Sequence, residues 1–543
     1  MGADPTPKGK YDYWSSGTPS PQGFIIQKMI DHSLWLKKRG YYHLTPKLDV
    51  IGKQQEYLSK ITNPKFVSKH GFFPLLHAVI KERRYKKCGP DGKRSHVDPA
   101  KGPTAKNRPL HFATHIDSLI FGYYAQKLQF QYEKELQKDL NLSAAITAYR
   151  KVFNADDPER GKSTIHFAHE VFSEIKKQAL SKGSCTVLKF DLEKFFSSID
   201  HKYLKTAWTR LIGKEILPVD HYKVFRATTN FSYILKDDLR KNKRRFGSRS
   251  GFEEKKLSQI RKQGIESYFE SHEELRKAVK EGEVKIFKNP FRSKDGNKRV
   301  GIPQGLPISS VLANLYLLEF DQNLIQEVVK RLGGLYRRYS DDIIIVIDSE
   351  HETKVEELVM SLISKYFISI SEDKTEIFHF AKNERGSIVG FLKTKENGFS
   401  DNYPLNYLGF DFYGDRTLVA AKNLSKFYRR MKVSIKKKTK KSTHLNPDQW
   451  VRKPVVFFRQ LYRIYSNSDL ERYQIRTRRI SLTKNKFGEY LYKSEIIPKP
   501  LKGNYFSYIK RAAKIMNEPA IINQLRNHRR IFNTTVRRRL VSR

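Results

Sequence analysis

Two adjacent aspartates, Asp341 and Asp342, stand between apolar runs in the segment YRRYSDDIIIVID, residues 336–348. Neighbouring carboxylates repel each other, so one of them should have a raised pKa unless a cation neutralises both. Mg²⁺ suits this position, because it accepts carboxylate and phosphate oxygens while keeping several waters. An isolated SDD could also be a solvated turn, since Ser and Asp favour turns.

The surroundings of the pair favour the metal. The run IIIVI is typical of a strand buried on both faces, so the turn before it lies close to a core, where unneutralised charges are costly. A third carboxylate, Asp191, follows the strand-like VLKF. Three aspartates at two strand ends make the set that two-metal phosphoryl transfer requires, in which one ion activates the attacking hydroxyl and the other steadies the leaving pyrophosphate.

The charge of the chain indicates a polyanionic partner. The 543 residues include 104 Lys and Arg against 57 Asp and Glu, a net charge of +47 that is spread along the sequence. Nucleic acid is the first candidate, because each neutralised phosphate releases condensed counterions. An anionic membrane surface is the alternative, but 34 Phe, 29 Tyr and 4 Trp among the basic residues also suit base stacking.

Cysteine content and hydropathy argue against several classes of protein. The two cysteines are too few for a zinc ribbon or a disulfide framework. No apolar run reaches the roughly 20 residues that span a bilayer, and the N-terminal segment lacks the apolar stretch of a secretory signal. The sequence therefore predicts a soluble, cytoplasmic protein without a membrane partner.

The elements that must position the aspartates can be predicted from the patterns around them. Residues 185–191 predict a strand that ends at Asp191, followed by a turn and the helix HKYLKTAWTRLIG. A helix from Ile308 should end at Gly333 and Gly334, and LYRRY and IIIVID should form two strands joined by a tight turn. The first convincing helix is predicted from Pro74, in PLLHAVIKERRYKK.

Composition suggests three regions. Residues 1–65 form an N-terminal extension, 66–415 hold the aspartates and include a heavily charged insertion at about 213–300, and 416–543 form a basic C-terminal domain. Little strand pattern is visible after about residue 415, so this last domain is predicted to be all-helical.

Five ordered motifs resemble the reverse transcriptases: FDLEKFF (190–196), GIPQGLPISS (301–310), YSDD (339–342), EDKT (372–375) and YLGF (407–410). With NRPLHFATHIDSLIFGYYA (107–125) upstream, the chain is most similar to the bacterial unknown-group and abortive-infection branch, the defence-associated reverse transcriptases. The resemblance implies an α+β fold. It consists of right-hand polymerase fingers and palm with a ferredoxin-like palm sheet, followed by an all-helical, thumb-like or α-repeat-like C-terminal domain.

The resemblance also implies roles for single residues. Asp191, Asp341 and Asp342 correspond to the metal-binding aspartates, with the Leu192 carbonyl as a further ligand of two Mg²⁺ ions, for which Mn²⁺ can substitute. Phe196 falls at the steric gate that would collide with a ribose 2′-hydroxyl, although ordinary core packing beside Phe195 is the alternative.

Other matched positions concern the substrates. The nucleotide-binding positions are Gln304 and Gly305 beside the incoming nucleotide, Lys106 and Arg108 on its triphosphate, and Lys374 as proton donor to pyrophosphate. The primer grip corresponds to Tyr407, Leu408 and Gly409. In so basic a chain, Lys106 and Arg108 could equally be solvated surface charges.

Three departures from the family pattern stand out. Ser309 and Ser310 replace the common Ser-Pro, and Ser340 takes the place of a small apolar residue before the aspartates. Where many relatives have a second fingers arginine, this chain reads HIDSLIF with Asp117. We therefore expect the triphosphate clamp to differ from the usual one.

The leading hypothesis is a reverse transcriptase in antiphage defence that uses an associated, structured non-coding RNA as template or scaffold. Its partners would be that RNA, the DNA product and deoxynucleotides, with a homo-oligomer as an option. Basic clusters at Lys436, Lys437, Lys438, Arg537, Arg538 and Arg539 would bind RNA, unless they are solvated helix faces. Alternatives are untemplated or protein-primed DNA synthesis, an RNA-dependent RNA polymerase, a retron or group II intron enzyme, and a non-catalytic RNA-binding scaffold.

Overall fold

The structure is a computed structural model that describes residues 31–541 except 83–85, 88–93, 99–101, 156, 158–160, 240–242, 245–246, 249–266, 294, 371–374, 395–397, 402, 445–455, 457, 467–473, 485–489 and 501–502. Helices and sheets are both well represented, so the predicted α+β class is confirmed. Among the described residues, none of the helices is both long and apolar enough to cross a bilayer.

A six-stranded antiparallel sheet, the central sheet, carries the aspartates. Its strands lie in the order Leu335–Tyr339, Asp342–Ile347, Ser184–Asp191, Glu376–Lys382, Ile388–Lys393 and Phe399–Asp401. The first four strands, with the helices between them, have the βαββαβ connectivity of a ferredoxin-like fold. The ferredoxin-like sheet expected from the resemblance is therefore present.

Both faces of the central sheet are buried. Ile343, Ile345 and Ile347 point into one core, while Ile344 and Val346 point into a second core on the opposite face. This alternation follows from the two-residue period of a strand and confirms the prediction for IIIVI. A register slip would draw the charged Asp342 between the two cores, so the aspartates are held at the end of the strand.

The first core is closed by helices from the N-terminal two thirds of the chain. These are His115–Gln137, Leu140–Ala145, Phe195–Ser198, His201–Leu211, Val219–Thr229, Ser309–Tyr316, Leu318–Leu324 with its π-helical continuation Ile325–Arg331, and Glu352–Lys365 after the short turn Ser349–His351. The helix predicted from Ile308 is thus found as three consecutive helical segments. Gly333 follows them with φ +64°, the left-handed conformation expected for a residue that ends a helix.

A second, four-stranded sheet, the upstream sheet, contains Phe287–Lys288, Ser232–Leu235, Leu75–Glu82 and Lys106–Phe112 in that order. The helix predicted from Pro74 is wrong, because Leu75–Glu82 is a strand paired over seven positions with Lys106–Phe112. Local apolar spacing fits a helix, but backbone pairing with a distant strand decides the conformation. The charged insertion contributes two of the strands, together with the helix His272–Lys280.

The described part of the N-terminal extension packs on the same body. It holds the helices His32–Trp35, Gln54–Thr62 and Pro64–Lys69. Trp35, Leu36 and Ile61 are buried in the first core. Small two-stranded ladders complete this half of the chain: Lys86–Lys87 with Arg94–Ser95, Val97–Asp98 with Gly102–Pro103, and Lys243–Arg244 with Gly247–Ser248.

The second core joins the central sheet to the C-terminal region. It is covered by Thr164–Lys182, Ala421–His444, Phe458–Tyr465, Tyr505–Met516, Ala520–Asn523 and His528–Val541, and by a three-stranded sheet of Leu405–Tyr407, Phe410–Phe412 and Thr417–Val419. Gln524 bonds both backbone groups of Val419: its Oε1 accepts from the N–H at 2.9 Å and its Nε2 donates to the C=O at 3.0 Å. The C-terminal helices thus complete the edge of this sheet.

The predicted all-helical C-terminal domain is wrong, because residues 416–543 contain the strand Thr417–Val419 and a longer strand pair. Gln474–Lys484 and Tyr490–Pro500 form an antiparallel ladder of eleven residues in each strand. Ile475, Thr477 and Ile480 are β-branched and favour a strand. The arginines and lysines among them hide the alternation of apolar and polar residues, which is why the sequence pattern was uninformative here.

Candidate active site

Asp191 and Asp342 face each other across two paired strands. Asp342 begins the strand Asp342–Ile347 and is the direct partner of Asp191, which ends Ser184–Asp191. Residues directly opposite in an antiparallel pair project to the same face, with Cβ atoms about 5 Å apart. The Leu192 N–H donates to the Asp341 carbonyl at 3.1 Å and extends the pairing to the turn. The structure therefore brings two of the three predicted aspartates together.

The turn before Asp342 is tight and strained. Ser340 and Asp341 join the two strands, and Ser340 has φ +63°, an uncommon conformation for a residue with a side chain. Asp341 is exposed, whereas Asp342 is half-buried. We call residues Ser340, Asp341 and Asp342 the aspartate turn. Its conformation presents two consecutive carboxylates at one end of the central sheet.

Electrostatics distinguish Asp342 from an ordinary surface aspartate. Burial first, and then the charges of Asp341 and Asp191, raise the pKa of Asp342 to about 6, although Lys189 and Lys422 act in the opposite direction. A carboxylate held near two others binds a proton more tightly because the ionised form is poorly compensated. A divalent cation would supply the missing positive charge.

The carboxylates at this site would supply only part of a metal's coordination shell. Within the ranges that the structure describes, no group of three or more His, Cys, Asp or Glu side chains converges as a ready-made metal cage. The paired Asp191 and Asp342 still fit Mg²⁺, which commonly takes only one or two protein carboxylates and completes its shell with water and phosphate oxygens. Asp341 and the Leu192 carbonyl remain predicted ligands.

A cavity of about 310 Å³ opens beside the two aspartates. It is lined by Lys189, Asp191, Asp342, Glu376, Asn406, Tyr407, Leu408, Gly409 and Lys422. Leu408 and Gly409 have φ +44° and +94° and form the two-residue turn between Leu405–Tyr407 and Phe410–Phe412. The three residues predicted as primer grip thus lie against the aspartates, and Tyr407 itself is fully buried.

Four polar residues of this cavity were not predicted from the sequence. Lys189 Nζ lies 2.6 Å from Glu376 Oε2, and Lys422 Nζ donates to Asn406 Oδ1 at 3.1 Å. Lys189 lies two residues before Asp191 and therefore on the same strand face, so alternation could have identified it. Glu376, Asn406 and Lys422 come from other elements, and only the strand register and the tertiary fold bring them here.

The segment 301–305 connects Phe196 to the upstream sheet. The Ile302 N–H donates to the Phe196 carbonyl, and the His111 N–H donates to the Gln304 carbonyl, both at 2.7 Å. Gly305 has φ +109°, and a Cβ there would lie 2.7 Å from the His111 carbonyl oxygen, so the close approach requires glycine. Gln304 and Gly305 therefore lie in a segment that is bonded to both Phe196 and His111, and the Phe196 ring is half-buried.

Lys106 and Arg108 lie on the strand Lys106–Phe112 and are exposed. Arg108 Nε is 3.6 Å from Glu82 Oε2 on the neighbouring strand. His111 lies on the same strand and is bonded to Gln304. This strand therefore attaches Lys106 and Arg108 to the segment 301–305. The predicted proton donor Lys374 lies outside the described residues.

Asp117 has a structural explanation. It is buried at the start of the helix His115–Gln137, where its carboxylate accepts from His70 Nε2 at 2.7 Å and from the Phe73 N–H at 3.1 Å. These bonds attach the segment before the upstream sheet to that helix. Asp117 is therefore occupied by donors from the protein itself.

The C-terminal basic residues divide into two sets. Arg537, Arg538 and Arg539 line a groove of about 960 Å³, the C-terminal groove, together with Lys432, Arg530, Ile531, Thr534 and Thr535. Lys436 and Lys437 are exposed and Lys438 is half-buried on the helix Ala421–His444, but none of the three lines the groove. The structure thus gathers one predicted cluster into a concave cationic surface.

Removing divalent metal should make stability depend on Asp342. Its pKa is 3.8 in an unfolded reference and about 6 in the folded chain, so the folded state binds the proton more tightly. This contribution is full below pH 4 and is lost as the pH rises through 6; it amounts to about 3 kcal/mol at 1.36 kcal/mol per pKa unit. In EDTA, the urea midpoint of the wild type should fall between pH 4 and 6.5 relative to that of Asp342→Asn. Parallel pH profiles of the two proteins would refute this expectation.

Comparison with known proteins identifies a relationship over more than half of the chain. The family model described as "Reverse transcriptase (RNA-dependent DNA polymerase)" matches residues 127–412. Among curated proteins, the Retron Se72 reverse transcriptase of Salmonella heidelberg is 42% identical over 82 residues, which are 14% of this chain and 21% of the retron enzyme. The match therefore spans about a fifth of the length of that relative.

Solved structures give weaker similarities. Apo telomerase from Candida tropicalis, truncated from its C-terminal domain, has a TM-score of 0.34 at 10% identity, covering 68% of this chain and 59% of that chain. Telomerase from Candida albicans, in complex with a TWJ fragment of telomeric RNA, has a TM-score of 0.31 at 12% identity, covering 70% and 53%. Scores this low do not establish a shared overall fold.

Proposed function

This chain belongs to the reverse transcriptase family, and on that basis we propose that it is an RNA-directed DNA polymerase that joins deoxynucleoside triphosphates by two-metal catalysis. The observation that carries the proposal is the direct pairing of Asp342 with Asp191 beside the strained aspartate turn. Like charges held this close to each other are costly unless a cation lies beside them, and the charges of Asp341 and Asp191 both act on Asp342.

The aspartates would hold the metals. Asp191, Asp341 and Asp342, with the Leu192 carbonyl, would bind two Mg²⁺ ions, or Mn²⁺ in their place. Once bound, these ions would lower the pKa of the attacking hydroxyl and would neutralise charge on the phosphoryl oxygens. A bound cation would keep Asp342 ionised below pH 6, where the carboxyl otherwise takes up a proton.

The neighbouring residues would position the substrates. The turn at Leu408 and Gly409 would support the primer end, with Tyr407 packed beneath it. Phe196, Gln304 and Gly305 would surround the sugar and base of the incoming nucleotide. Lys106, Arg108 and Lys374 would contact its triphosphate, Arg108 through its planar fork.

We further propose a role in antiphage defence, with a structured non-coding RNA as template or scaffold. Support comes from the motif order, which resembles the defence-associated branch, and from the net charge of +47. Untemplated or protein-primed synthesis is an alternative within the same branch. The stretch of identity with a retron enzyme keeps a retron-type activity as a second candidate.

The decisive experiment uses the purified full chain with Mg²⁺ and labelled deoxynucleotides. The reaction is run with its co-purified nucleic acid, with added RNA template and DNA primer, and with no primer. Product in the first two reactions supports the proposal, and sequencing the bound nucleic acid identifies template and product. Product without template would support untemplated synthesis, whereas no product under any condition would favour a non-catalytic RNA-binding scaffold.

The C-terminal groove is proposed to bind the RNA backbone. Its described lining contains five cationic side chains, two threonines and one isoleucine, and no carboxylate. Such a surface binds phosphates by charge, with hydroxyls as additional donors. Lys436, Lys437 and Lys438 would extend this surface along the helix Ala421–His444, outside the groove itself.

Charge reversal tests the groove. Arg537→Glu with Arg538→Glu should weaken RNA binding at least tenfold at moderate salt and should reduce the log–log salt slope by about 1 to 2, because each phosphate contact adds about 0.7 to 0.9. The matched control reverses two exposed lysines of the helix Glu352–Lys365, Lys354 and Lys365. Filter binding across salt concentrations measures the RNA affinity and the salt slope of each double variant. Equal losses in the two double variants would mean that only net charge matters, contrary to the proposal.

A further inference from the structure

A fully buried arginine lies directly beneath the aspartate turn. Arg338 donates through Nε and Nη2 to the two carboxylate oxygens of Asp321, at 2.7 and 2.6 Å. Its remaining nitrogen, Nη1, donates to Asn314 Oδ1 at 3.2 Å and to the Ser340 carbonyl at 3.1 Å. Both members of the ion pair are inaccessible to solvent. One guanidinium thus links the helix that carries Asp321 to the turn that carries Asp341.

Further hydrogen bonds surround the ion pair, one of them on Asp321 and others on the Arg338 backbone and on Asn314. The Tyr336 hydroxyl donates to Asp321 Oδ1 at 2.6 Å. The Thr147 N–H and hydroxyl both donate to the Arg338 carbonyl at 3.0 Å. Asn314 Nδ2 donates to the Ala148 carbonyl at 3.1 Å. The arginine cannot shift without breaking bonds to three separate segments of the chain.

A second side chain contacts the turn from the same neighbouring segment. The Tyr149 and Ser340 hydroxyls are hydrogen-bonded, with their oxygens 3.0 Å apart, and Tyr149 has φ +62°. Ser340 itself has φ +63°. Two left-handed residues with side chains meet here, and each costs of order 1–3 kcal/mol unless its surroundings impose the conformation. The backbone strain and the hydrogen bond therefore occur at the same place.

Stability alone does not account for this arrangement. A buried ion pair is often no more stable than apolar residues of similar volume, because desolvation offsets the attraction between the charges. What the pair provides is a defined position: its carboxylate orients the guanidinium, and the guanidinium holds one carbonyl of a strained turn. That carbonyl belongs to the residue next to Asp341 and two before Asp342.

We propose that Arg338 and Tyr149 are positioning residues of the polymerase reaction: through Ser340 they hold Asp341 and Asp342 at the separation that two divalent cations need. The inference rests on the proposed function. Neither side chain touches substrate or metal in this scheme. Groups that orient metal ligands in this way typically change metal affinity or activity by 10–100-fold when altered.

The test compares two substitutions in the same buried network. Arg338→Lys keeps the charge beside Asp321 but cannot bond both Asp321 oxygens and the Ser340 carbonyl together. Tyr336→Phe removes one hydrogen bond from the same Asp321 and leaves the turn untouched. Both variants carry a stability cost, and only the first loosens the aspartates. The readouts are kcat, the KM for deoxynucleotide, and direct Mn²⁺ binding measured by electron paramagnetic resonance of the free ion.

We expect Arg338→Lys to lower kcat and to weaken Mn²⁺ binding, each by about 10–100-fold, with KM changed less than about threefold. Tyr336→Phe should leave Mn²⁺ binding within about twofold of the wild type. Equal Mn²⁺ affinities in the two variants would overturn the inference. An inactive wild type that still binds Mn²⁺ would instead overturn the proposed function. In that case the Mn²⁺ affinities of the variants would still test whether Arg338 positions the aspartates.

Tyr149→Phe tests the same inference if Arg338→Lys fails to fold. Tyr149 is 49% exposed, so removing its hydroxyl should shift the unfolding midpoint by no more than a typical surface change. If the hydroxyl positions Ser340, kcat and Mn²⁺ affinity should both fall severalfold in this variant. Wild-type values for both would contradict the inference independently of the arginine.

Discussion

Asp342→Asn is expected to lower kcat by about three orders of magnitude or more, which corresponds to about 4 kcal/mol of transition-state stabilisation. Asparagine keeps the size of the side chain and one oxygen but lacks the charge that a divalent cation requires. Because Asp342 faces Asp191 across paired strands, its loss leaves the remaining carboxylates unable to hold two ions. Primer extension under saturating deoxynucleotide measures the effect.

The matched control for this substitution is Asp348→Asn. Asp348 follows the same strand at its other end and is paired with Lys182 at 3.2 Å. It carries the same chemical change without touching the site, so its activity should stay within about twofold of the wild type. Asp342→Asn should also unfold later than the wild type in EDTA above pH 6, because it removes a poorly compensated charge. An active and merely destabilised Asp342→Asn protein would end the two-metal proposal.

Phe196→Ala is expected to raise ribonucleotide use relative to deoxynucleotide use by about a hundredfold, near the upper end of what one steric contact provides. The Phe196 backbone is held by Ile302, in the segment that also carries Gln304, and its half-buried ring packs against the first core. Removing the ring opens space for a 2′-hydroxyl. The ratio of kcat/KM for matched ribo- and deoxynucleotides measures the change.

Phe196→Tyr serves as the control, because it keeps the ring and should keep the preference for deoxynucleotides. Use of deoxynucleotides by Phe196→Ala should remain within about threefold of the wild type, since the substitution adds space and removes no polar contact. If sugar preference is unchanged in Phe196→Ala while stability falls, the ring is a core residue beside Phe195. The two rings meet edge to face, with their centroids 5.8 Å apart. A strong preference for ribonucleotides in the wild type would instead favour an RNA polymerase.

The strands that carry the aspartates were predictable because local sequence determines them. The run after Asp342 is apolar and β-branched at every position, and so short a run is typical of a strand buried on both faces. The turn at Ser340 and Asp341 follows from residue types that tolerate tight turns. For these elements, burial and local conformation favour the same answer, and the sequence pattern was sufficient.

The errors arose where distant partners decide the structure. Leu75–Glu82 has helix-compatible spacing but gains seven paired residues from a strand about thirty positions later. The ladder Gln474–Lys484 with Tyr490–Pro500 carries its β-branched residues among many basic ones, so no alternation is visible. Glu376 and Lys422 reach the site through strand register and through the start of a long helix, and neither has a local signature. Long-range pairing cannot be inferred from the chemistry of one segment.

The bonding of Gln524 to the backbone of Val419 limits where this polymerase can be truncated. A recombinant fragment ending near residue 415 would lose the strand Thr417–Val419 and leave Phe410–Phe412 with an open, aggregation-prone edge. It would also uncover the apolar face formed by Phe378, Phe380 and Phe412. The catalytic half is therefore not a separable module. Shorter versions of the enzyme are better sought by trimming internal loops than by removing its last hundred residues.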